Sequence, residues 1–484
     1  MRVTGLNTIL THAGLRNCLF VQLTTDTGLV GIGEASLEWQ ERAVECLLQD
    51  WVADQVIGAD PHDVESLAAR LIRDQYQGGA TILTAISGVE IACWDLIGKA
   101  NGRPVYDLLG GQARDTLPAY ANGWYGGAVT PSDYAERAQA VVQRGYRAMK
   151  FDPFGTAWKQ MSEAEMQNAE EIVSAVRRAV GDDVELMIEV HGRLSVECAI
   201  EVGRRLTPYR PAWYEEPVSP WDLDSLVPVR KALPFPIATG ERCYMLEEFE
   251  RLTALCGADI IQPDLAHCGG LSIGRRIAEL ARAQGQQLAP HCSIGPVALC
   301  AAVHFGWAIP AVRIQENFAD YDVPWRESFV KGWNLCHDGR FGLPTGPGLG
   351  IELDEAVCAS IRHKGIRFLR CGTTAGSRNL RRPNNAGGAA QCGDVSGRPG
   401  RAPGPRRGRR GVCRDRGQQP EEILTAARDC DALLVVSSKV PGEVVEQLTR
   451  LPWISRLGAG TDRIDIAAAT RRDHRRERPG LLHE

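Results

Sequence analysis

Val184-Glu-Leu-Met-Ile-Glu189, Ala212-Trp-Tyr-Glu215 and Pro236-Ile-Ala-Thr-Gly-Glu241 decide the fold of this chain. Each is a short apolar run that closes on a glutamate, and the glutamates recur at intervals of 26 residues. One strand, one helix and their loops fill such an interval, so each carboxylate stands at a strand end, once per βα unit. In a parallel barrel those ends share one mouth, where active sites form. Three carboxylates converging there repel one another unless a cation lies between them. The spacing alone therefore points to a bound hard metal.

The ladder extends in both directions. Downstream come Asp264 in Ile260-Ile-Gln-Pro-Asp264, His291 in Leu288-Ala-Pro-His291 and Glu316 in Ile314-Gln-Glu316. Upstream stands Lys150-Phe-Asp152, and His191 follows Glu189 by two residues. Strand signals cover Leu117–Asn122, Arg147–Phe151, Glu185–Glu189, Ala212–Glu215, Pro236–Thr239, Asp259–Gln262, Gln287–Ala289 and Val312–Gln315. Helical patterns lie between them; one starts at Ser162-Glu-Ala-Glu165, a capping box. The region from about 116 to 345 thus predicts an α/β chain with a parallel barrel.

Residues 1–115 mix strand and helix. Cys18–Asp26, a Thr25–Gly28 turn and Leu29–Glu34 predict a β-hairpin. Ile82, Ile86, Val89, Cys93 and Leu96 predict one face of an amphipathic helix ending before Gly102.

These motifs resemble the enolase superfamily, in its mandelate racemase group. Ala85-Ile-Ser-Gly-Val-Glu-Ile-Ala-Cys-Trp-Asp95 with Pro104–Gly110, then Glu189-Val-His191, Glu215-Glu-Pro217, Gly240-Glu241, Gln262-Pro-Asp264 and His291 carry the likeness over roughly residues 1–368. The resemblance implies a (β/α)7β TIM-like barrel, an N-terminal α+β capping domain, and a return to the cap over 346–370. It implies Mg2+ on Glu189, Glu215 and Glu241, and removal of the proton α to a substrate carboxylate. Asp264 and His291 match the family's Asp–His dyad, and Lys150 matches a lysine that touches the substrate carboxylate. Racemases of the group carry a second lysine where this chain has Asp152, which argues against two-base racemisation. Within Glu189-Val-His-Gly-Arg193, His191 resembles the histidine of galactonate dehydratase-like enzymes that protonates a departing 3-hydroxyl. Glu316 is expected to hydrogen-bond the substrate carboxylate or the enediolate formed from it.

The implied activity is loss of water from a sugar acid to give a 2-keto-3-deoxy acid. A cycloisomerase or epimerase on the same scaffold is the alternative, and a non-catalytic regulatory protein a remote one. Asp152 has two readings: a catalytic group, or an ion-pair partner of Lys150 or Lys159. By strand alternation His191 is expected on the face of Glu189. Trp39, Tyr76 and Trp124 are candidates for substrate selection or for packing, and His267 reads as an ordinary loop residue.

Beyond 370 the texture changes. Residues 371–420 hold 11 arginines and no lysine, with many glycines and prolines and no apolar periodicity. A disordered linker is expected, without the interleaved aromatics that nucleic-acid binding favours. Within 421–484, residues 421–467 read as helix, strand, strand and turn, and resemble a fragment of D-2-hydroxyacid dehydrogenases. The G-x-G-x-x-G unit is missing, so no dehydrogenase activity is expected.

A net charge of −5 argues against a polyanionic partner. No export signal or run of 18 apolar residues is seen, and most of the 15 cysteines are expected reduced and buried. A cytoplasmic homo-oligomer acting on a small sugar acid, away from membranes, is the resulting expectation.

Overall fold

The computed structural model describes residues 1–361 apart from 15, 77, 322–324 and 333–335, and further on 412–414, 432–435, 441–447 and 453–456. The chain divides into two units, Met1–Asn379 and Leu380–Glu484.

The first unit opens with an antiparallel sheet of β1 (Val3–Ala13), β2 (Arg16–Thr25) and β3 (Val30–Glu34), in that order. The β2–β3 hairpin matches the sequence reading, whereas β1 escaped it. As an edge strand half open to solvent, β1 lacks clean alternation.

Helix Ala80–Asn101 packs on β3 at van der Waals limits, which explains Gly31 and Gly33. A Cβ at Gly33 would stand 1.9 Å from the Gly88 carbonyl oxygen, and one at Gly31 2.4 Å from that of Ala92. The helix is buried on every side from Ile82 to Gly98, not on one face as expected. It lies between the sheet and the barrel, so its polar residues face partners rather than water. Among the described residues it is the one helix long and apolar enough to cross a membrane, and 89% of its most apolar window is buried in the protein.

Eight parallel strands follow: β4 (Leu117–Ala121), β5 (Ala148–Phe151), β6 (Glu185–Glu189), β7 (Trp213–Glu215), β8 (Ile237–Thr239), β9 (Ile260–Ile261), β10 (Gln287–Leu288) and β11 (Gln315–Asn317). They are neighbours in sequence order, and β11 returns to pair with β4. The expected eighth strand, Val312–Gln315, lies too early. The segment serves two neighbours in turn: Val312 bridges Leu288, Arg313 N–H donates to the Leu288 carbonyl at 2.7 Å, and pairing with β4 starts only at Gln315. Apolar residues mark its β10 half, polar ones its β4 half. Seven helices alternate with the strands, giving the (β/α)7β barrel. The Glu163–Val180 helix carries the expected Ser162–Glu165 capping box, a motif that contributes about 1 kcal/mol.

Tyr120, Ala148, Met187, Trp213, Ala238, Ile260, Ala289 and Ile314 form one apolar layer across the barrel, one residue from each strand or its extension. This layer is the floor of the mouth.

Two buried cap carboxylates, Glu34 and Glu90, fasten cap to barrel, and a third, Asp95, fastens the cap to the returning chain. Glu34 accepts the backbone N–H groups of Gly295, Val297 and Ala298 at the start of the Pro296–Ala308 helix. Glu90 accepts those of Leu271 and Ser272 at the start of Leu271–Ala283. Asp95 accepts those of Ile32 and Leu349. Helix N-termini offer unpaired N–H groups, so Glu34 and Glu90 are satisfied without water. After the barrel the chain returns to β1, where Thr11 Oγ1 donates to the carbonyls of Cys358 and Ile361 at 3.0 and 2.8 Å.

In the second unit Val412–Arg414, Ala432–Val435 and Trp453–Arg456 form a parallel sheet in that order, with a helix at Gly442–Gln447. The disorder expected over 371–420 does not hold at 412–414. Three residues on a neighbour's ladder suffice for a strand, and a composition count over 50 residues cannot register them. The rest of that stretch, the helix read after 421 and the turn after 457 lie outside the described residues.

Candidate active site

Side chains alternate along a strand, so the residue two past each member of the apolar layer faces the same interior. Those residues are Asn122, Lys150, Glu189, Glu215, Gly240, Gln262, His291 and Glu316. One step above an apolar floor, the barrel thus carries a ring of seven polar side chains and one glycine.

At Gly240 φ is +135°, and a Cβ there would stand 2.9 Å from the Gln262 nitrogen. The missing side chain lets the next residue, Glu241, turn in. Glu189, Glu215 and Glu241 each bring a carboxylate oxygen to within 4.8 Å of the others. Their even spacing in sequence hides this shift: two are ring residues, and the third reaches the cluster past a glycine.

Lys150 Nζ lies 2.5 Å from Glu215, 3.1 Å from Glu316 and 3.6 Å from Glu189. It is one lysine shared by three carboxylates. Burial, then the charge of Glu189, push the Glu215 carboxyl well above its usual range, with Lys150 opposing. Burial also works against Glu241, but His291, Lys150 and Arg242 hold it down at about 2. Glu189 Oε2 is buried and accepts no hydrogen bond. A set of carboxylate oxygens with surplus negative charge and an unpaired buried acceptor fits a hard divalent ion such as Mg2+. Glu316 is fully engaged, accepting from Asn122 Nδ2 and from the Cys292 N–H, each at 2.8 Å.

Two histidines flank the cluster, each on a carboxylate. His291 Nδ1 meets Asp264 Oδ2 at 2.8 Å, and its Nε2 lies 3.4 Å from Glu241. An ionised carboxylate only accepts, so Nδ1 carries the proton in that contact. Burial disfavours the charge on His291, yet Glu241, Glu316 and Asp264 raise its proton affinity well above normal. On the far side, His191 Nδ1 meets Asp152 Oδ2 at 2.8 Å. Burial again opposes, but Glu189 and Asp152 raise His191 to about 10.

Two expectations need correcting here. His191 does not face the site by strand alternation: β6 has ended, and φ of +55° puts the residue in a left-handed turn. Asp152 does not pair with Lys150 or Lys159. Its partners are His191 and the Arg193 guanidinium, because Lys150 is drawn to the glutamates and Lys159 lies over the Trp158 ring.

Comparison with known proteins now bears on this geometry. A family model described as enolase C-terminal domain-like matches residues 133–357, and the mandelate racemase/muconate lactonizing enzyme N-terminal domain matches 6–110. D-gluconate dehydratase of Thermoproteus tenax is 35% identical over 346 residues, covering 71% of this chain and 69% of that protein. The chain belongs to the enolase superfamily. D-galactonate dehydratase of Xanthomonas axonopodis pv. citri is 35% identical over 376 residues, covering 74% of this chain and 93% of that one. The crystal structure of a mandelate racemase/muconate lactonizing enzyme from Jannaschia sp. CCS1 is 34% identical with a TM-score of 0.72, covering 76% and 99% of the two chains. The chain is an enzyme of this superfamily, and these two curated relatives are dehydratases by name. Residues 406–473 match the catalytic domain of D-isomer specific 2-hydroxyacid dehydrogenases, a longer stretch than 421–467.

Several residues of this candidate site were not singled out from sequence. Asn122 closes the ring beside Glu316. Gln262 is fully buried in the ring, and neither amide atom has a partner. Glu216 and Arg242, each next to a cluster glutamate, pair with one another. Reading every strand at the ring register, rather than looking for acids, would have found the first two. Trp124 is buried and donates to the Lys150 carbonyl at 2.9 Å, so it packs. Tyr76 is 98% exposed, and Trp39 half-buried. His267 donates to the Ser36 carbonyl at 2.8 Å, tying barrel to cap.

Proposed function

We propose that this enzyme dehydrates an aldonate of the gluconate or galactonate kind to a 2-keto-3-deoxy acid, with Mg2+ as cofactor. Glu189, Glu215 and Glu241 would hold the ion, which supplies positive charge to the substrate carboxylate and to the enediolate that develops from it.

The chain's own groups do the rest. His291 takes the C2 proton on Nε2, while Asp264 holds Nδ1 and fixes the ring. Glu241 ranks first among the charges that raise His291's proton affinity. A glutamate shared with a cation raises it less, which leaves the imidazole able to act as a base. Lys150, anchored on Glu215 and Glu316, adds a fixed positive charge under the reacting carboxylate. His191, protonated and resting on Asp152, gives its proton to the 3-hydroxyl as the C3–O bond breaks. Electrons from the C2–H bond form the C2–C3 double bond, and water leaves. The enol then becomes the 2-keto acid.

The second dyad carries the reading. Proton removal alone needs one base; a second histidine–aspartate pair just past the ends of β5 and β6, across the ring from the pair past the ends of β9 and β10, suits an acid for a leaving group. The named dehydratases among the relatives support the same class. The test is a panel of aldonic and aldaric acids assayed for 2-keto acid, with and without EDTA. Product from a C6 aldonate that EDTA abolishes is expected. No product from any of them would overturn the proposal.

A further inference from the structure

The two dyads are not supported alike. His291 sits at a ring position that barrel geometry supplies. His191 follows the end of β6, in a left-handed pair with Gly192, at φ of +55° and +67°. At Gly192 a Cβ would stand 2.7 Å from the Pro220 ring at Cδ and 3.2 Å from the Val218 carbonyl oxygen, at a φ that glycine adopts freely. Nothing in strand geometry aims the imidazole of such a turn.

Arg193 supplies an anchor. It is 3% exposed, and every guanidinium nitrogen is engaged. Nε donates to the Val190 carbonyl at 2.7 Å and Nη1 to the Gly155 carbonyl at 2.6 Å. Nη2 spans both oxygens of Asp152, at 2.6 and 2.5 Å. Asp152 accepts in addition the Phe154 N–H at 3.0 Å and His191 Nδ1 at 2.8 Å. A planar guanidinium held by two carbonyls presents its remaining edge in one direction, which a lysine cannot imitate.

We propose that Arg193 is a positioning residue for elimination: it holds Asp152 so that His191 Nδ1 is tied to the carboxylate and Nε2 alone is left to serve a substrate hydroxyl. This rests on His191 being the acid of the proposed dehydration. Arg193 touches no reacting atom and acts through Asp152. The competing view makes it a staple between the loops after β5 and β6, through its two carbonyl contacts. The two views separate because a staple supports the whole mouth, whereas a positioning residue supports one dyad.

The experiment uses the full chain with Mg2+, as wild type, Arg193→Met and Arg193→Lys. Three quantities are read: the 15N signals of the His191 ring, C2–H exchange of an aldonate in D2O, and 2-keto acid formation. Arg193→Met is expected to lose the distinct Nδ1–H and Nε2–H signals of a His191 imidazolium held by Asp152 and to cut dehydration on the order of 10²-fold, with exchange kept within about threefold. Arg193→Lys, which keeps the charge and loses the fork, should recover part of both. Unchanged His191 signals would overturn the proposal, and so would exchange and dehydration falling together with the melting temperature. Should the wild type dehydrate no aldonate, the proposed function fails, and the His191 signals alone still decide whether Arg193 positions the ring.

Discussion

The two histidine dyads share one contact and differ in everything behind it. Each imidazole gives Nδ1 to an aspartate at 2.8 Å. Yet the His291 side chain is 11% exposed and stands on the strand ring, while that of His191 is 34% exposed and stands on a left-handed turn. A group built into the strand ring has a fixed position, which suits taking a proton from a carbon atom. A group on a turn is open to solvent for reprotonation and depends on a second layer of contacts for its aim. On the proposed mechanism the barrel would supply proton removal, and the loops the group that acts on the intermediate.

The comparison can be broken at several points. Stripping the metal should silence both dyads, lowering exchange and dehydration alike on the order of 10³-fold or more, since several kcal/mol of charge stabilisation go with it. Loss of dehydration alone would mean the ion serves only the leaving group. His291→Asn should lower both reactions by about 10² to 10⁴-fold, because no carbanion forms without the base. His191→Asn should lower only dehydration, by a similar factor of about 10² or more.

A smaller effect tests the ring. Gly240→Ala puts a Cβ against the Gln262 backbone at a φ of +135°. It should cost about 1–3 kcal/mol of stability and weaken Mg2+ binding through Glu241, read by thermal melting and titration calorimetry. The least effect concerns the cap over the His291 side. Glu38 bonds Arg16 at 3.0 Å and the Ser293 hydroxyl at 2.7 Å. Burial pushes its carboxyl up, but Arg16, His267 and His291 bring it from 4.5 to about 2. The folded state therefore gains from this charge above pH 4.5 and loses the gain as pH falls toward 2. Arg16→Ala should remove about 1 kcal/mol above that window and little below it, read from acid unfolding curves.

How much of this was legible in sequence follows from the same contrast. Glu189, Glu215, His291 and Glu316 announce themselves because each ends an apolar run, and strand alternation carries them to one interior. Glu241 is legible from its spacing and from the Gly240-Glu241 motif, but not the steric reason for the glycine, which is the room it gives Glu241 to turn in. The facing of His191 was inferred from an alternation that had already stopped. The partners of Asp152 were misjudged because Arg193 lies 41 residues away and reaches it only through the folding of two loops. The all-round burial of Ala80–Asn101 was also hidden, as Glu90 and Asp95 look like a solvent face until the helix N-terminus and the loop that they bind are in place. Periodicity records where a strand points; it carries no information about turns or about which distant loop arrives beside them.

The division of labour between the dyads is most directly tested by one measurement: His191→Asn enzyme with Mg2+ and an aldonate that the wild type dehydrates, in D2O, following deuterium at C2 of recovered substrate and the 2-keto-3-deoxy product by NMR. Deuterium should enter C2 at close to the wild-type rate of proton removal, while product falls about 10²-fold or more. Exchange and product lost in equal measure, or product formed at the wild-type rate, would contradict the assignment of base and acid to separate dyads.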